Sequence, residues 1–126
     1  MFDLDHFKHI NDQYGHATGD QVLATIAEIC RLTIRESDIL ARLGGEEFAI
    51  LLPQTPKEQA TILADRIRRA IESQQTSPVC TASLGVSCTT QWQKNGVGGP
   101  ELDELLSAAD RQLFVAKRNG RNQIAG

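Results

Sequence analysis

Apolar residues recur along this chain in patterns that change period from segment to segment. Met1-Phe2-Asp3-Leu4-Asp5 reads as the end of a strand. Phe7, Ile10 and Tyr14 follow at helical spacing, and Gly15 stops that short helix. A second helix is expected after Gly19, with Val22, Leu23, Ile26, Cys30 and Ile34 on one face. Ile39–Leu43 and Phe48–Leu52 are apolar runs flanking Gly44-Gly45-Glu46-Glu47, which predicts a β-hairpin with charges at its tip. Thr55-Pro56-Lys57-Glu58 predicts a helix start, with Thr55 as N-cap, Pro56 at the first helical position and Glu58 completing a capping box. Ala60, Leu63, Ala64, Ile67 and Ile71 supply the buried stripe of that helix. Val79–Cys88 alternates as a strand, with Cys80, Ala82, Leu84, Val86 and Cys88 on one side. Asn95-Gly96-Val97-Gly98-Gly99-Pro100 reads as the most flexible stretch. Leu102, Leu105, Leu106, Ala109 and Leu113 mark a last helix that ends near Gly120, its C-cap. The order β-α-α-β-β-α-β-α implies an α+β fold with helices covering a mainly antiparallel sheet.

The length of 126 residues fits one domain, residues 1–126, and leaves no room for two. With 13 Lys plus Arg against 16 Asp plus Glu, the net charge is −3. That argues against a nucleic-acid groove, which needs a basic surface, but not against one phosphorylated small molecule. No apolar run approaches a membrane span, so no direct membrane contact is expected from this segment. Cys30, Cys80 and Cys88 form no C-x-x-C pair and fall on apolar faces, as reduced packing residues of a cytoplasmic protein do.

Two groups of residues carry candidate chemistry. Asp3 and Asp5 lie two apart on a strand end, and Glu46 sits at the hairpin tip. If the first strand lies beside the hairpin, Asp3 and Glu46 converge into the hard-oxygen set that Mg²⁺ prefers. Strand ends and turns also collect acids for solvation alone, and spacing by itself favours that plainer reading. Lys8, Lys117 and Arg121 could neutralise a polyphosphate, although Lys117 and Arg121 equally suit the C-terminal dipole of the last helix.

Taken together, Asp3-Leu4-Asp5-His6-Phe7-Lys8-His9-Ile10-Asn11-Asp12, Gly15-His16-Ala17-Thr18-Gly19-Asp20 and Arg42-Leu43-Gly44-Gly45-Glu46-Glu47-Phe48 resemble a GGDEF domain. Ser83-Leu84-Gly85-Val86, Ala109-Asp110 and Ala116-Lys117-Arg118-Asn119-Gly120-Arg121-Asn122 continue the resemblance in order, from Met1 to about Ile124. It implies a ferredoxin-like, nucleotide-cyclase palm-like architecture. It also implies a diguanylate cyclase that condenses two GTP into cyclic di-3′,5′-GMP and releases two pyrophosphates, with Mg²⁺ or Mn²⁺ as cofactor. Asp3, Glu46 and the Leu4 carbonyl match the metal ligands. Glu46 stands where the family name has Asp, and both carboxylates can bind metal. Asn11 and Asp20 match the guanine-reading positions. A carboxylate accepts the adjacent N1–H and N2–H₂ donors of guanine together, and a buried Asp20 would be left unpaired by adenine. As a plainer role, Asp20 could cap the second helix. Lys8, Lys117, Arg121 and the backbone around His6 and Phe7 match phosphate contacts, while Gly44 and Gly45 admit the nucleotide close to the backbone. Glu47 matches the residue that helps deprotonate the ribose 3′-OH.

The resemblance extends to regulation and assembly. Arg35-Glu36-Ser37-Asp38 is an R-x-x-D five residues before Gly44. That placement implies a product-inhibition site of Arg35 and Asp38 with Arg66 on the next helix, where Arg stacks on or pairs with guanine and Asp accepts its donors. Each domain would hold one GTP, so catalysis implies a homodimer, promoted by an upstream sensory or regulatory domain of the parent protein. Relative to the usual domain, the chain lacks the first helix and most of the first strand, a loss expected to lower stability and leave an edge open to non-native pairing. Two further readings stand beside the cyclase: a catalytically silent cyclic di-GMP receptor and a GTP-binding regulatory module.

Overall fold

A computed structural model of the chain describes residues 1–74, 78–89 and 102–126. In chain order the elements are β1 (Phe2–Leu4), α1 (Phe7–Tyr14), α2 (His16–Thr33), β2 (Ile39–Gly44), β3 (Glu47–Leu51), α3 (Lys57–Ser73), β4 (Ala82–Gly85), α4 (Leu102–Arg118) and β5 (Ile124–Ala125). The sheet runs β2-β3-β1-β4-β5. β1 is antiparallel to both its neighbours, β2 is antiparallel to β3, and, among the described strands, β5 alone is parallel, beside β4. The mainly antiparallel α+β expectation holds, and β5 adds a strand that two residues could not announce by periodicity.

Alternation along β1 divides the sheet into two unlike faces. Phe2 and Leu4 join Phe48, Ala82 and Leu84 in the core, covered by Ile26 and Cys30 of α2 and Ile67 and Ile71 of α3. Phe2 stacks on Phe48 with centroids 5.1 Å apart, a cross-strand pair that fixes the register. The opposite face carries Asp3 and Ser83, which are paired in register, and Gly85. Here α4 lies so close that a Cβ on Gly85 would fall 2.1 Å from the Ala109 carbonyl oxygen and 2.2 Å from the Leu113 nitrogen. Glycine therefore sets how closely α4 approaches β4.

Three local expectations are corrected. α2 begins at His16, not after Gly19. Gly15 ends α1 and starts α2, with φ of 89°, and Gly19 sits inside the helix because the Asn11 amide of α1 occupies the space of a Cβ, 1.9 Å away. Asp20 is therefore no N-cap. Thr55 does not cap α3 either: Pro56 is the flanking residue and no side chain caps it. The Thr55 hydroxyl instead accepts from Arg35 Nη2 at 2.5 Å and donates to the Pro53 carbonyl. The fourth strand is only Ala82–Gly85, with Cys80 and Cys88 buried outside it.

The last helix ends as its sequence suggested. Gly120, at φ 123°, donates to the Lys117 carbonyl, and Arg121 N–H donates to the Ala116 carbonyl at 3.1 Å, the paired bonds of a Schellman motif. Asn95–Pro100 lies outside the described residues. All three cysteines are buried, and burial pushes the Cys30 thiol up to about 12 and Cys80 up to about 11, so neither of these two is nucleophilic at neutral pH. Among the described residues no helix is long and apolar enough to cross a membrane.

Candidate active site

β1 is the axis of the site. It lies between β3 and β4, and Asp3 pairs with Glu47 on one side and Ser83 on the other. The strand thus delivers Asp3 to the end of the hairpin whose turn is Gly45-Glu46. That turn is closed by the Gly44–Glu47 pair after a register shift between Arg42 and Gly44. Gly45 has φ 49°, a left-handed conformation that glycine adopts without Cβ strain, and its carbonyl accepts from Arg42 Nε at 2.8 Å. Among the described residues nothing lies within 4 Å of a Cβ built on Gly44 or Gly45, which leaves room beside both glycines.

Asp3 is buried. One oxygen accepts from Lys117 Nζ at the end of α4; the other, Oδ1, is buried with no hydrogen-bond partner among the described residues. Burial pushes the Asp3 carboxyl above the usual carboxylate range, opposed by the Lys117 hydrogen bond and charge and reinforced by the nearby charges of Glu46 and Asp5. An unpaired buried carboxylate oxygen costs free energy and calls for a positive partner.

The Leu4 carbonyl is placed to help. Met1 and Asp5 bond across to β4, through Gly85 and the Thr81 carbonyl respectively. Strand alternation then turns the Leu4 carbonyl to the β3 side, where pairing has already stopped at Asp3 and Glu47. Asp3 Oδ1, half-buried Glu46 and the Leu4 carbonyl are all hard oxygens, and they fit Mg²⁺ or Mn²⁺. Among the described residues no group of three or more His, Cys, Asp or Glu could hold a metal by itself. That suits an ion completed by substrate oxygens and water rather than a closed protein cage.

The other sequence-predicted positions lie on α1, on α2 and in the turn after α4. His6 precedes α1 in a left-handed conformation, φ 55°, which turns the chain sharply from strand into helix. His6 and Lys8 are exposed and Phe7 is buried. Asn11 is half-buried against Gly19. Asp20 is exposed rather than buried as the sequence suggested, because it sits in the first turns of α2 beside the packed Gly19 and not beneath it. Lys117 is engaged by Asp3, whereas Arg121 is exposed, at φ 63°, and its guanidinium has no hydrogen bond or ion pair among the described residues.

At the other end of the hairpin, Arg35 and Asp38 close a turn on themselves. Arg35 N–H and Nε donate to Asp38 Oδ2 at 2.8 and 3.2 Å, Nη2 donates to Oδ1 at 2.9 Å, and Asp38 N–H donates to the Arg35 carbonyl. Arg35 also reaches Thr55. Arg66 stands exposed on α3, and the structure does not join it to that pair.

Sequence reasoning missed what Asp5 does. Spacing grouped it with Asp3, yet both its oxygens are satisfied: Oδ2 accepts from Thr81 Oγ1 at 2.7 Å and Asn122 N–H at 3.0 Å, and Oδ1 accepts from Ser83 Oγ at 2.6 Å. Arg68 of α3 then donates to Asn122 Oδ1 at 3.0 Å. Only the return of the chain at Asn122, 117 residues away in sequence, exposes this role; Ser83 and Asn122 were visible as motif members without a function.

The fold and site define an α+β, palm-like domain with an acidic centre between its first strand and a glycine hairpin. The sequence matches the family described as "Diguanylate cyclase, GGDEF domain" over residues 1–123. Diguanylate cyclase DgcM of Escherichia coli K12 is 40% identical over 126 residues, covering 98% of this chain and 29% of that protein. The active GGEEF domain of a diguanylate cyclase from Vibrio cholerae superposes with TM-score 0.84 at 34% identity, covering 98% of this chain and 78% of that one. The GGDEF domain of DgcB from Caulobacter crescentus, in complex with c-di-GMP, gives TM-score 0.82 at 32% identity, covering 98% and 73%. The chain belongs to the GGDEF family of diguanylate cyclases, a nucleotidyltransferase family. It spans less than a third of the length of the curated relatives it matches.

Proposed function

We propose that this domain is one half of a diguanylate cyclase active site and that two copies condense two GTP into cyclic di-GMP. The observation that supports it most is the buried, unpartnered Oδ1 of Asp3 beside the Gly44-Gly45-Glu46-Glu47 turn. In each half-reaction the ribose 3′-oxygen of one GTP bonds to the α-phosphorus of the other. The bond from that phosphorus to the bridging oxygen breaks, pyrophosphate leaves, and the 3′-OH loses its proton. Repeated across a two-fold axis, this closes the ring and releases two pyrophosphates.

Asp3, Glu46 and the Leu4 carbonyl would hold Mg²⁺ or Mn²⁺, which when bound neutralises phosphate charge and acidifies a hydroxyl. Asn11 and Asp20 read the guanine edge, with Asp20 desolvated only when the base covers it. Lys8, Arg121 and the N–H groups around His6 and Phe7 hold the triphosphate. Lys117 opposes the effect of burial on the Asp3 carboxyl and would meet the same phosphates. Glu47, paired with Asp3 in register, accepts the 3′-OH proton. Positioning and charge stabilisation do most of the work in such a transfer.

Arg35, Asp38 and Arg66 form the product-inhibition site in this reading. Cyclic di-GMP would replace the internal bonds of Arg35 to Asp38 and Thr55 with bonds to guanine. Upstream segments of the parent protein bring two domains together, in the cytoplasm. The test is GTP turnover by the purified chain with Mg²⁺ at low and high protein concentration, with chromatographic detection of product. Synthesis that rises more than proportionally with protein is expected. Glu46→Gln should abolish synthesis and spare cyclic di-GMP binding; full synthesis by that variant overturns the metal assignment. Product binding with no synthesis by the parent chain, even with its native upstream segment attached, would favour a receptor. GTP binding alone would favour a regulatory module.

A further inference from the structure

Gly120, Arg121 and Asn122 hold φ values of 123°, 63° and 47° in succession. Two consecutive non-glycine residues in the left-handed region persist only where their surroundings fix them. The fixing groups are identifiable. The Asn122 N–H is held by Asp5 at the end of β1, and the Asn122 side chain by Arg68 on α3. The Gln123 carbonyl accepts from Leu84 N–H on β4, and Gln123 Nε2 donates back to the Arg121 carbonyl. Between these tethers the Arg121 guanidinium remains without a partner among the described residues. Asp5 thus ties the Arg121 turn to the strand that carries Asp3 two residues earlier.

We infer that Asp5, with Arg68 acting through Asn122, is a positioning residue that fixes Arg121 relative to Asp3 and so sets affinity for the polyphosphate part of the nucleotide. The assignment rests on the nucleotide reading above. Asp5 is not a metal ligand in this account, because both of its oxygens already accept hydrogen bonds, three in all. Asparagine at this position removes the charge on which all three bonds rely, and its NH₂ can meet Thr81 or Ser83 only if that hydroxyl turns round to accept, so the tether to the Asn122 N–H is weakened. A merely structural role would weaken every ligand alike, whereas a positioning role weakens only ligands that carry phosphates.

The experiment uses the whole chain, with GTP and guanosine as probes in titration calorimetry, for the parent, Asp5→Asn, Arg121→Ala and their double variant. Asp5→Asn and Arg121→Ala are each expected to weaken GTP about tenfold and to leave guanosine unchanged. The double variant is expected to be no weaker than the poorer single variant, since both changes remove one contact. Equal losses for GTP and guanosine in Asp5→Asn, or additive losses in the double variant, overturn the inference. Should Asp5→Asn fail to fold, Arg68→Gln replaces it with the same GTP-only signature expected and the same results against it. Hydrogen exchange at the Asn122 amide should be slow in the parent and fast in Asp5→Asn without any nucleotide; equal rates also refute the tether. A parent chain that binds neither probe while its Asn122 amide is protected overturns the nucleotide reading, and this role with it, but leaves the tether standing.

Discussion

Two buried carboxylates, each with one cation, titrate in opposite directions. Asp38 accepts three bonds from Arg35, and chiefly the side-chain hydrogen bond holds its carboxyl below the usual range against the opposing pull of burial. Asp3 accepts one bond, from Lys117, and burial outweighs it to push the carboxyl up. The difference is one of completeness. Around Asp38 every oxygen is used and the chain turns tightly, so the pair is a finished structural joint until a ligand competes for it. Around Asp3 one oxygen is left bare and two more acids lie close, an arrangement that burial and repulsion both disfavour. In the proposed reading, a cation fills that gap.

The largest expected effect is on chemistry. Asp3→Asn should lower cyclic di-GMP synthesis by about a hundredfold or more, the scale of losing one charge-stabilising group, with the domain still folded by circular dichroism. Synthesis near the parent rate would mean that the bare oxygen marks no site. Next is the docking of α4, which brings Lys117 to Asp3. Gly85→Ala places a methyl against helix backbone that cannot step aside, so a loss of about 2–3 kcal/mol is expected by urea unfolding. An unchanged midpoint would show that α4 sits farther from β4 than the structure has it. Arg35→Ala, which leaves Asp38 buried without its cation, should lower the melting temperature less than Gly85→Ala. It should also abolish inhibition by added cyclic di-GMP while leaving initial synthesis intact; inhibition that persists removes Arg35 from the product site.

The smallest effect is the sharpest test of the contrast. Asp38 is more acidic folded than unfolded, so its stabilisation is present above the ordinary value of 3.8 and fades as pH falls through its lower folded value. Asp3 is less acidic folded than unfolded, so it lowers stability as pH rises from 3.8 through its raised value. In unfolding experiments across the acid range, Asp38→Asn should flatten a slope below about pH 4, and Asp3→Asn a slope of opposite sign above it. Two slopes of one sign would erase the distinction between joint and site.

Much of the fold could be read locally. Gly15 stops α1, Gly120 stops α4, and the Gly44-Gly45 turn separates β2 from β3, because backbone conformation at these points is a property of a few adjacent residues. The failures share another cause. Gly19 looked like a helix boundary but lies within α2, since its missing side chain makes room for Asn11. Thr55 looked like a cap, but its hydroxyl is taken by Arg35, twenty residues away. β5 is recognisable only from its pairing with Leu84 and Gly85.

The sequence by itself determined the element types, the two-faced character of the sheet strands and the family, because periodicity and short motifs are encoded in neighbouring residues. It also brought forward Asp3, Glu46 and the R-x-x-D pair as acids and cations worth weighing. Only the tertiary structure decided between Asp3 and Asp5. Two like residues, two positions apart on one strand end, became a bare site carboxylate and a saturated anchor. Their partners come from Thr81, Ser83, Lys117 and Asn122, and hydrogen-bond satisfaction depends on which distant groups the fold brings within reach.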